Sequence, residues 1–393
     1  VQTELTSPVW MLVSRFFPSV GGTERQALAL AQRLRNTGID ARIVTQKYDA
    51  RLNNQDVQSN VFIYRLPPRS SIPLSSFFFI VSTFFFFKRV LRGPCIFHAH
   101  MIASPAVAAI LSASLFKSKA VVKVACSGRF GDVATSKKTW IGRLKLRWVL
   151  RHTDKIISLS GDIDRELLKE GVPAEKIVRI PNGVDVDLFQ PVPSEAQRLA
   201  LCKALGLPHA GPVILFSGRL TAQKRPDIVL EAFALIAERY PQSSLVFAGD
   251  GPLRTTLEQS DSAKRLPGRV LFKGLQKDIQ DYYAASHIFV LPSEAEGMSN
   301  SLLEAMASGL ACIVHDFGGV TDIIHSEKNG FLYKEQDPQM VAQLLEKLLA
   351  RPEQVRALGL AARETVKKMN AWERIIPQYQ HLYRQLMASS GPL

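Results

Sequence analysis

The feature that most limits what this chain can fold into is an alternation of short apolar runs with amphipathic stretches, which stops at a cluster of prolines and then starts again. Val9–Val13 (VWMLV) reads as a buried strand, Glu24–Arg35 as a helix with Ala27, Leu28, Leu30, Ala31 and Leu34 on one face, and Ala41–Thr45 as a second strand. Joints this short between strand, helix and strand leave parallel pairing as the workable arrangement. Further strands are expected at Val61–Leu66, Ile96–His98, Ala120–Val124, Ile156–Leu159 and Ile177–Ile180. Pro191, Pro193 and Ser194 read as a linker, after which Val213–Ser217 opens the pattern afresh. A helix over Asp227–Glu238 and strands at Leu245–Ala248, Val270–Phe272, Ile288–Leu291 and Ala311–Val314 follow.

Two such runs in 393 residues predict an α/β protein of two doubly wound, Rossmann-like domains, each long enough to bury its own core. The expected division is residues 1–190, then 191–370, then a closing segment 371–393 whose helix, Trp372–Met387, has no strand after it and returns to the first domain. Open parallel sheets hold ligands beyond the carboxyl ends of their strands, which points both sites toward the crevice between the domains.

Charge and cysteine usage narrow the function classes. Lys and Arg outnumber Asp and Glu by 27 to 14 over residues 1–190, and are nearly balanced, 22 to 21, in the remainder. A basic first half suits anionic lipid, anionic sugar intermediates or nucleic acid. No nucleic-acid-binding motif accompanies it, so nucleic acid is not expected as a partner. Cys95, Cys126, Cys202 and Cys312 lie far apart, with no metal-ligand or disulfide spacing, as in a reducing cytoplasm. Residues Val1–Pro8 are polar and show no secretory signal.

Two segments of the basic half stand out. Ile72–Phe87 (IPLSSFFFIVSTFFFF) has no charge and seven phenylalanines but falls short of the roughly 20 residues a membrane span needs. It reads either as a covered core helix or as a helix seated at a membrane interface, with Lys88, Arg89 and Arg92 directly after it. Lys137–Arg151 interleaves Trp140, Ile141, Leu144, Trp148 and Leu150 with six basic residues. That pattern fits an anionic membrane surface or a solvated face over an ordinary core helix.

Candidate chemistry sits beyond the strand ends. Gly21 and Gly22 precede the first helix, where backbone N–H groups and the helix N-terminus favour a diphosphate. Arg219 and Lys224 follow the first strand of the second half, placed to stabilise charge that grows on a leaving diphosphate. After Ile288–Leu291 comes PSEAEGMSNSLLEAMA, with Glu296 in a glycine-containing loop and Glu304 in the following helix. Carboxylates there can accept hydrogen bonds from sugar or ribose hydroxyls. A Glu flanked by Leu302, Leu303, Ala305 and Met306 also requires a partner of its own.

The run EGMSNSLLEAMASG is similar to the donor-binding signature of the retaining glycosyltransferase family 4, of two-domain GT-B fold. Gly21-Gly22-Thr23-Glu24, His98-Ala99-His100, Asn182-Gly183-Val184-Asp185, Gly218-Arg219 with Lys224, Gly249-Asp250-Gly251-Pro252 and Gly318-Gly319-Val320 match other marks of it in order. Asp322 stands where Glu is usual, and Met298-Ser299-Asn300 where Phe-Gly-Leu is frequent; both departures bear on the donor sugar. The resemblance implies that Gly22, Arg219 and Lys224 contact the diphosphate, and that Glu304 holds the ribose. It implies that Glu296 and the amides of Gly297, Met298, Ser299 and Asn300 hold the transferred sugar, with His100 at its leaving bond and His98 structural. It further implies a same-face, metal-independent reaction in which the leaving phosphate oxygen helps take the acceptor's proton. No cofactor is expected. The expected partners are a nucleotide-sugar donor, UDP-linked by preference, and a glycan or lipid-linked acceptor of polysaccharide synthesis, on a cytoplasmic enzyme peripheral to the membrane's inner face. A nucleotide-sugar epimerase or hydrolase of the same fold, and a catalytically silent binding subunit, are the competing classes.

Overall fold

The computed structural model describes residues 7–18, 21–67, 74–208 and 210–388, and divides the chain into two compact units. The first is Val1–Gly183 together with Trp372–Leu393, and the second is Val184–Ala371. Residues 1–6 of the polar start, Ser19 and Val20 before the Gly-Gly turn, and Ile72 and Pro73 of the phenylalanine-rich run lie outside the described residues.

The first unit carries β1 (Val9–Val13), β2 (Ala41–Gln46), β3 (Gln55–Gln58), β4 (Val61–Leu66), β5 (Ile96–His100), β6 (Lys119–Lys123), β7 (Lys155–Ser158) and β8 (Ile177–Arg179). They form one sheet in the order β3-β4-β2-β1-β5-β6-β7-β8, parallel throughout except for β3. Every residue of β1 and β5 is buried, as a central strand covered on both faces requires. Helices Gly22–Asn36 and Trp372–Ala388 share one core with Met11, Ile43 and Ile63. On the other face Phe87 packs edge-on against Trp10 and Phe97, at 5.2 and 4.7 Å between ring centroids.

The second unit carries β9 (Val213–Ser217), β10 (Ser244–Ala248), β11 (Val270–Gly274), β12 (Ile288–Leu291), β13 (Ala311–His315) and β14 (Phe331–Tyr333), in the order β11-β10-β9-β12-β13-β14, all parallel. The order reverses between β9 and β12 here, and between β1 and β5 in the first unit. At such a switch point the two following loops diverge to opposite faces and leave a ligand-sized opening.

Several expectations shift in position. The division between units falls at Gly183/Val184 and Ala371/Trp372, not at the prolines. Ser194 is the N-cap of helix Glu195–Leu205, its hydroxyl accepting from the Gln197 N–H, which explains why a Pro-Ser cluster is a helix start here rather than a linker. Residues ahead of it are already tied to the second unit, where Arg363 donates to the carbonyls of Val186 and Phe189. The sequence reading lacks two strands. β3 is polar and largely exposed, held to β4 through a turn with Ser59 and Asn60 both at positive φ, 48° and 62°. β14 has three residues at a sheet edge. The phenylalanine-rich helix, Ser75–Val90, buries only Phe79, Thr83 and Phe87, so it is neither a covered core helix nor fully exposed. The basic stretch breaks into two helices, with Trp140–His152 starting at the Thr139 cap.

Candidate functional site

In the second unit the switch point is built by three loops that the strand order forces together. β9 and β12 are neighbours, Ile288 beside Ile214 and Phe289 beside Leu215, so the segments after Ser217 and Leu291 emerge side by side. They are stitched by backbone and side chain: Glu294 N–H donates to the Gln223 carbonyl at 2.9 Å, and the Gln223 amide to the Ala295 carbonyl at 2.9 Å. The stitching presents Lys224 to Glu296, and the two side chains form a half-buried ion pair. On the other flank β10 runs into Gly249-Asp250-Gly251, and Leu220 N–H donates to the Asp250 carbonyl at 3.0 Å. Gly249 has φ 152°, and a Cβ there would fall inside the Gly218 carbonyl, so this close approach requires glycine.

Glu304 lies one turn into helix Asn300–Ala307 and is 7% exposed. Its Oε2 accepts from the Tyr283 hydroxyl at 3.0 Å, which supplies the partner that a buried carboxylate needs. Tyr283 is itself buried, wedged edge-on against Phe189 at 5.7 Å. The helix starts at Ser299 without a side-chain cap, and the Ser299 hydroxyl pairs with that of Ser301 at 3.0 Å. Gly297, Met298, Ser299 and Asn300 therefore form the loop between the ion pair and the helix carrying Glu304. Arg219 is exposed just beyond β9. His315, ending β13, joins the same loop through its Nδ1 and the Ser293 carbonyl at 3.0 Å.

In the first unit, Gly21 is the N-cap of helix Gly22–Asn36 after β1, and His100 ends β5 on the same switch point. His100 is buried and stacks on His98 with ring centroids 4.3 Å apart. His98 Nδ1 shares a 2.8 Å hydrogen bond with the Tyr383 hydroxyl. Beside His100 in register stands Lys123, also buried, donating to Asn182 Oδ1 at 2.9 Å and to the Tyr379 hydroxyl at 3.2 Å. Burial pushes the Lys123 ammonium down to about 7. It pushes His98 down to about 3, with the nearby Lys123 charge adding to the effect, and His100 well below the ordinary imidazole range, so both rings stay neutral. After His100 the chain turns at Met101, whose φ of 92° is unusual for a side chain of its size.

The sequence reading missed four residues of these sites. Tyr283 and Lys123 sit in ordinary-looking helix and strand patterns. Tyr379 falls in the apolar repeat of the closing helix, where a tyrosine looks like packing alone. Gln26 exchanges two hydrogen bonds with the backbone of Gly183, at 2.8 and 3.3 Å, and its amide inside an otherwise apolar helix face was the one visible signal.

Comparison with known proteins agrees with the fold of both units. Residues 20–188 match the family described as Glycosyltransferase Family 4, and residues 198–365 match Glycosyl transferases group 1. Over 379 residues the chain is 25% identical to N-acetyl-alpha-D-glucosaminyl L-malate synthase of Bacillus anthracis, covering 94% of this chain and 96% of that protein. It is 36% identical over 189 residues to UDP-Gal:alpha-D-GlcNAc-diphosphoundecaprenol alpha-1,3-galactosyltransferase of Escherichia coli, a match covering 47% of this chain and 48% of that one. Among solved structures, sucrose-phosphate synthase of Thermosynechococcus elongatus superposes with a TM-score of 0.80 at 23% identity, over 98% of this chain and 100% of that one. HepE of Anabaena in complex with UDP superposes with a TM-score of 0.77 at 18% identity, over 97% and 100%.

Proposed function

Since the chain belongs to glycosyltransferase family 4 and is a GT-B glycosyltransferase acting on nucleotide sugars, we propose that it transfers a hexose from a UDP-sugar to a hydroxyl acceptor with retention of configuration and without a metal ion. The observation that carries this reading is the pairing of Lys224 with Glu296 beside a Tyr283-held Glu304, all at the β9/β12 switch point of one unit. A cation beside a strand's carboxyl end stabilises a departing diphosphate most when its charge is greatest, and Lys224, with Arg219 nearby in sequence, has that role. Glu304, fixed by Tyr283, accepts from ribose hydroxyls. Glu296 and the amides from Gly297 to Asn300 take the hydroxyls of the sugar. The roles that the resemblance implies for Gly21, Gly22 and His100 belong to the same proposal. Protein groups then contribute position and electrostatics, and the acceptor's proton leaves with the phosphate oxygen on the face of attack.

UDP as the carrier is supported by HepE, whose structures hold UDP and UDP-glucose. A lipid-linked acceptor is supported by the Escherichia coli relative, named for a diphosphoundecaprenol-linked substrate. Among the described residues no helix is long and apolar enough to cross a membrane, and the proposed location is cytoplasmic, peripheral on the inner face. Incubating purified protein with UDP-, GDP- and ADP-sugars, in EDTA, and following nucleoside diphosphate release tests the donor. Release from UDP-sugars alone, with an α-linked product from an α-linked donor by NMR, is the expected result. Activity that EDTA abolishes and Mg²⁺ restores overturns the metal-independent step, and conversion of donor to its epimer overturns transfer.

A further inference from the structure

From Val57 to Thr153 the chain holds fifteen Lys and Arg but a single acidic residue, Asp132. That one carboxylate is buried, where it accepts from the Ala125 N–H at 2.8 Å, so it does nothing to neutralise the surface. The same stretch supplies helices Ser75–Val90, Ser104–Leu115 and Trp140–His152, which follow one another as the crossovers between β4 and β7 and pack in a row. Crossover helices run antiparallel to their strands, so the first turns of Ser75–Val90 and Trp140–His152 lie at the carboxyl end of the sheet, the end at which His100 terminates β5.

These first turns are apolar and exposed. Phe77 is 59% exposed, Trp140 69%, Ile141 61% and Leu144 55%, and Leu74 and Phe78 are exposed with them. Single exposed apolar side chains are ordinary, but a group of aromatic and aliphatic ones at one end of a unit marks a surface that is covered in use. Around them Lys138, Arg143 and Arg147 are exposed, and none of the three forms an ion pair among the described residues. Unpaired cations beside unpaired apolar groups call for a partner that is anionic at its surface and apolar just beneath. A second copy of this chain would set cation against cation.

We infer that this rim of the first unit, formed by the first turns of helices Ser75–Val90 and Trp140–His152, docks on an anionic lipid bilayer. Trp140, Ile141, Leu144, Phe77 and Phe78 enter the boundary between headgroups and acyl chains, and Lys138, Arg143 and Arg147 meet the lipid phosphates. Docking in this way holds the His100 end of the sheet against the headgroup layer, where an acceptor with a membrane-embedded tail presents its sugar. The assignment deepens the acceptor reading above and rests on it for its purpose, while the binding itself is independent of catalysis.

Co-sedimentation of the full chain with vesicles of phosphatidylcholine, with and without phosphatidylglycerol, tests it. Binding is expected only with phosphatidylglycerol, weakening with salt, and by about fivefold for each of Lys138→Gln, Arg143→Gln and Arg147→Gln. The pair Trp140→Ser and Leu144→Ser is expected to abolish binding, and all these variants keep wild-type hydrolysis of the UDP-sugar in solution. Full recovery in the supernatant with phosphatidylglycerol vesicles at low salt overturns the inference, as does equal binding to phosphatidylcholine alone. A doubled solution mass that Trp140→Ser returns to monomer also overturns it, assigning the surface to a second copy. Vesicle binding by a protein that consumes no donor leaves the surface standing and sinks the transferase reading instead.

Discussion

The two switch points place their polar groups in opposite settings. In the second unit the Lys224–Glu296 ion pair keeps some exposure and Arg219 faces solvent, while Glu304 is buried on the Tyr283 hydroxyl. In the first unit the polar groups at the strand ends are sealed in, and the one cation among them, Lys123, is held by an amide and a phenol. Matched half-exposed charges can exchange partners with a ligand at little cost. Sealed neutral rings and an unpaired ammonium instead fix a shape. The second unit thus keeps exchangeable charges at its switch point, and the first seals its polar groups to hold the end of its sheet rigid.

The largest expected effect comes from removing what seals the first unit. Helix Trp372–Ala388 buries Trp372, Ile375, Ile376, Tyr379, Leu382, Tyr383 and Leu386, each contributing roughly 1.5–3 kcal/mol. A chain ending at Asn370 is expected to be insoluble or to lose near-UV circular dichroism; a soluble, active truncation would break the comparison by showing that the buried cluster needs no cover.

Next in size are substitutions in the second unit. Lys224→Ala is expected to lower kcat by about 100- to 1,000-fold, as loss of a group acting on transition-state charge does. Glu304→Ala is expected to raise the donor KM about tenfold with kcat within a few-fold, because a ribose contact is equal in ground and transition states. Steady-state kinetics separates the two, and an unchanged KM for Glu304→Ala sinks its assignment.

The smallest effect sharpens the contrast through pH. The folded-state value for Lys123 is lowered to about 7 from an ordinary 10.5, so the unfolded chain binds the extra proton between these limits. Stability therefore rises as pH rises from about 7 toward 10, by at most a few kcal/mol, and this gain is absent below. Denaturant midpoints at neutral and mildly alkaline pH, compared between wild type and Lys123→Met, measure it; equal slopes in the two proteins would mean that Lys123 is solvated.

The same contrast decides what was legible in the sequence. β1, β9 and β12 announce themselves because central parallel strands are apolar on both faces, whereas β3 is polar and exposed and reads as loop. Glu296 and Glu304 stand eight residues apart in a loop and the helix after it, so one local motif could carry them, while Lys224, 72 residues before Glu296, is marked only by its place just beyond the end of β9. Tyr283 could not be paired with Glu304 by pattern, since it lies on a different helix 21 residues upstream. Lys123 ends a strand of the form KAVVK, where a lysine ordinarily reaches water, and its partners are 59 and 256 residues away. Nothing local distinguishes it.

The placement of residues 372–388 also dictates an order of events during synthesis. The chain leaves the first unit at Gly183 and re-enters it at Trp372, and the two crossings lie side by side: Val184 pairs with Ala371, and Gly183 packs so closely on the Trp372 ring that a Cβ would collide with it. As residues emerge from the ribosome, the inserted second unit is complete while the first still lacks the tyrosines that cap His98 and Lys123. Half the protein waits, unfinished, for its last helix.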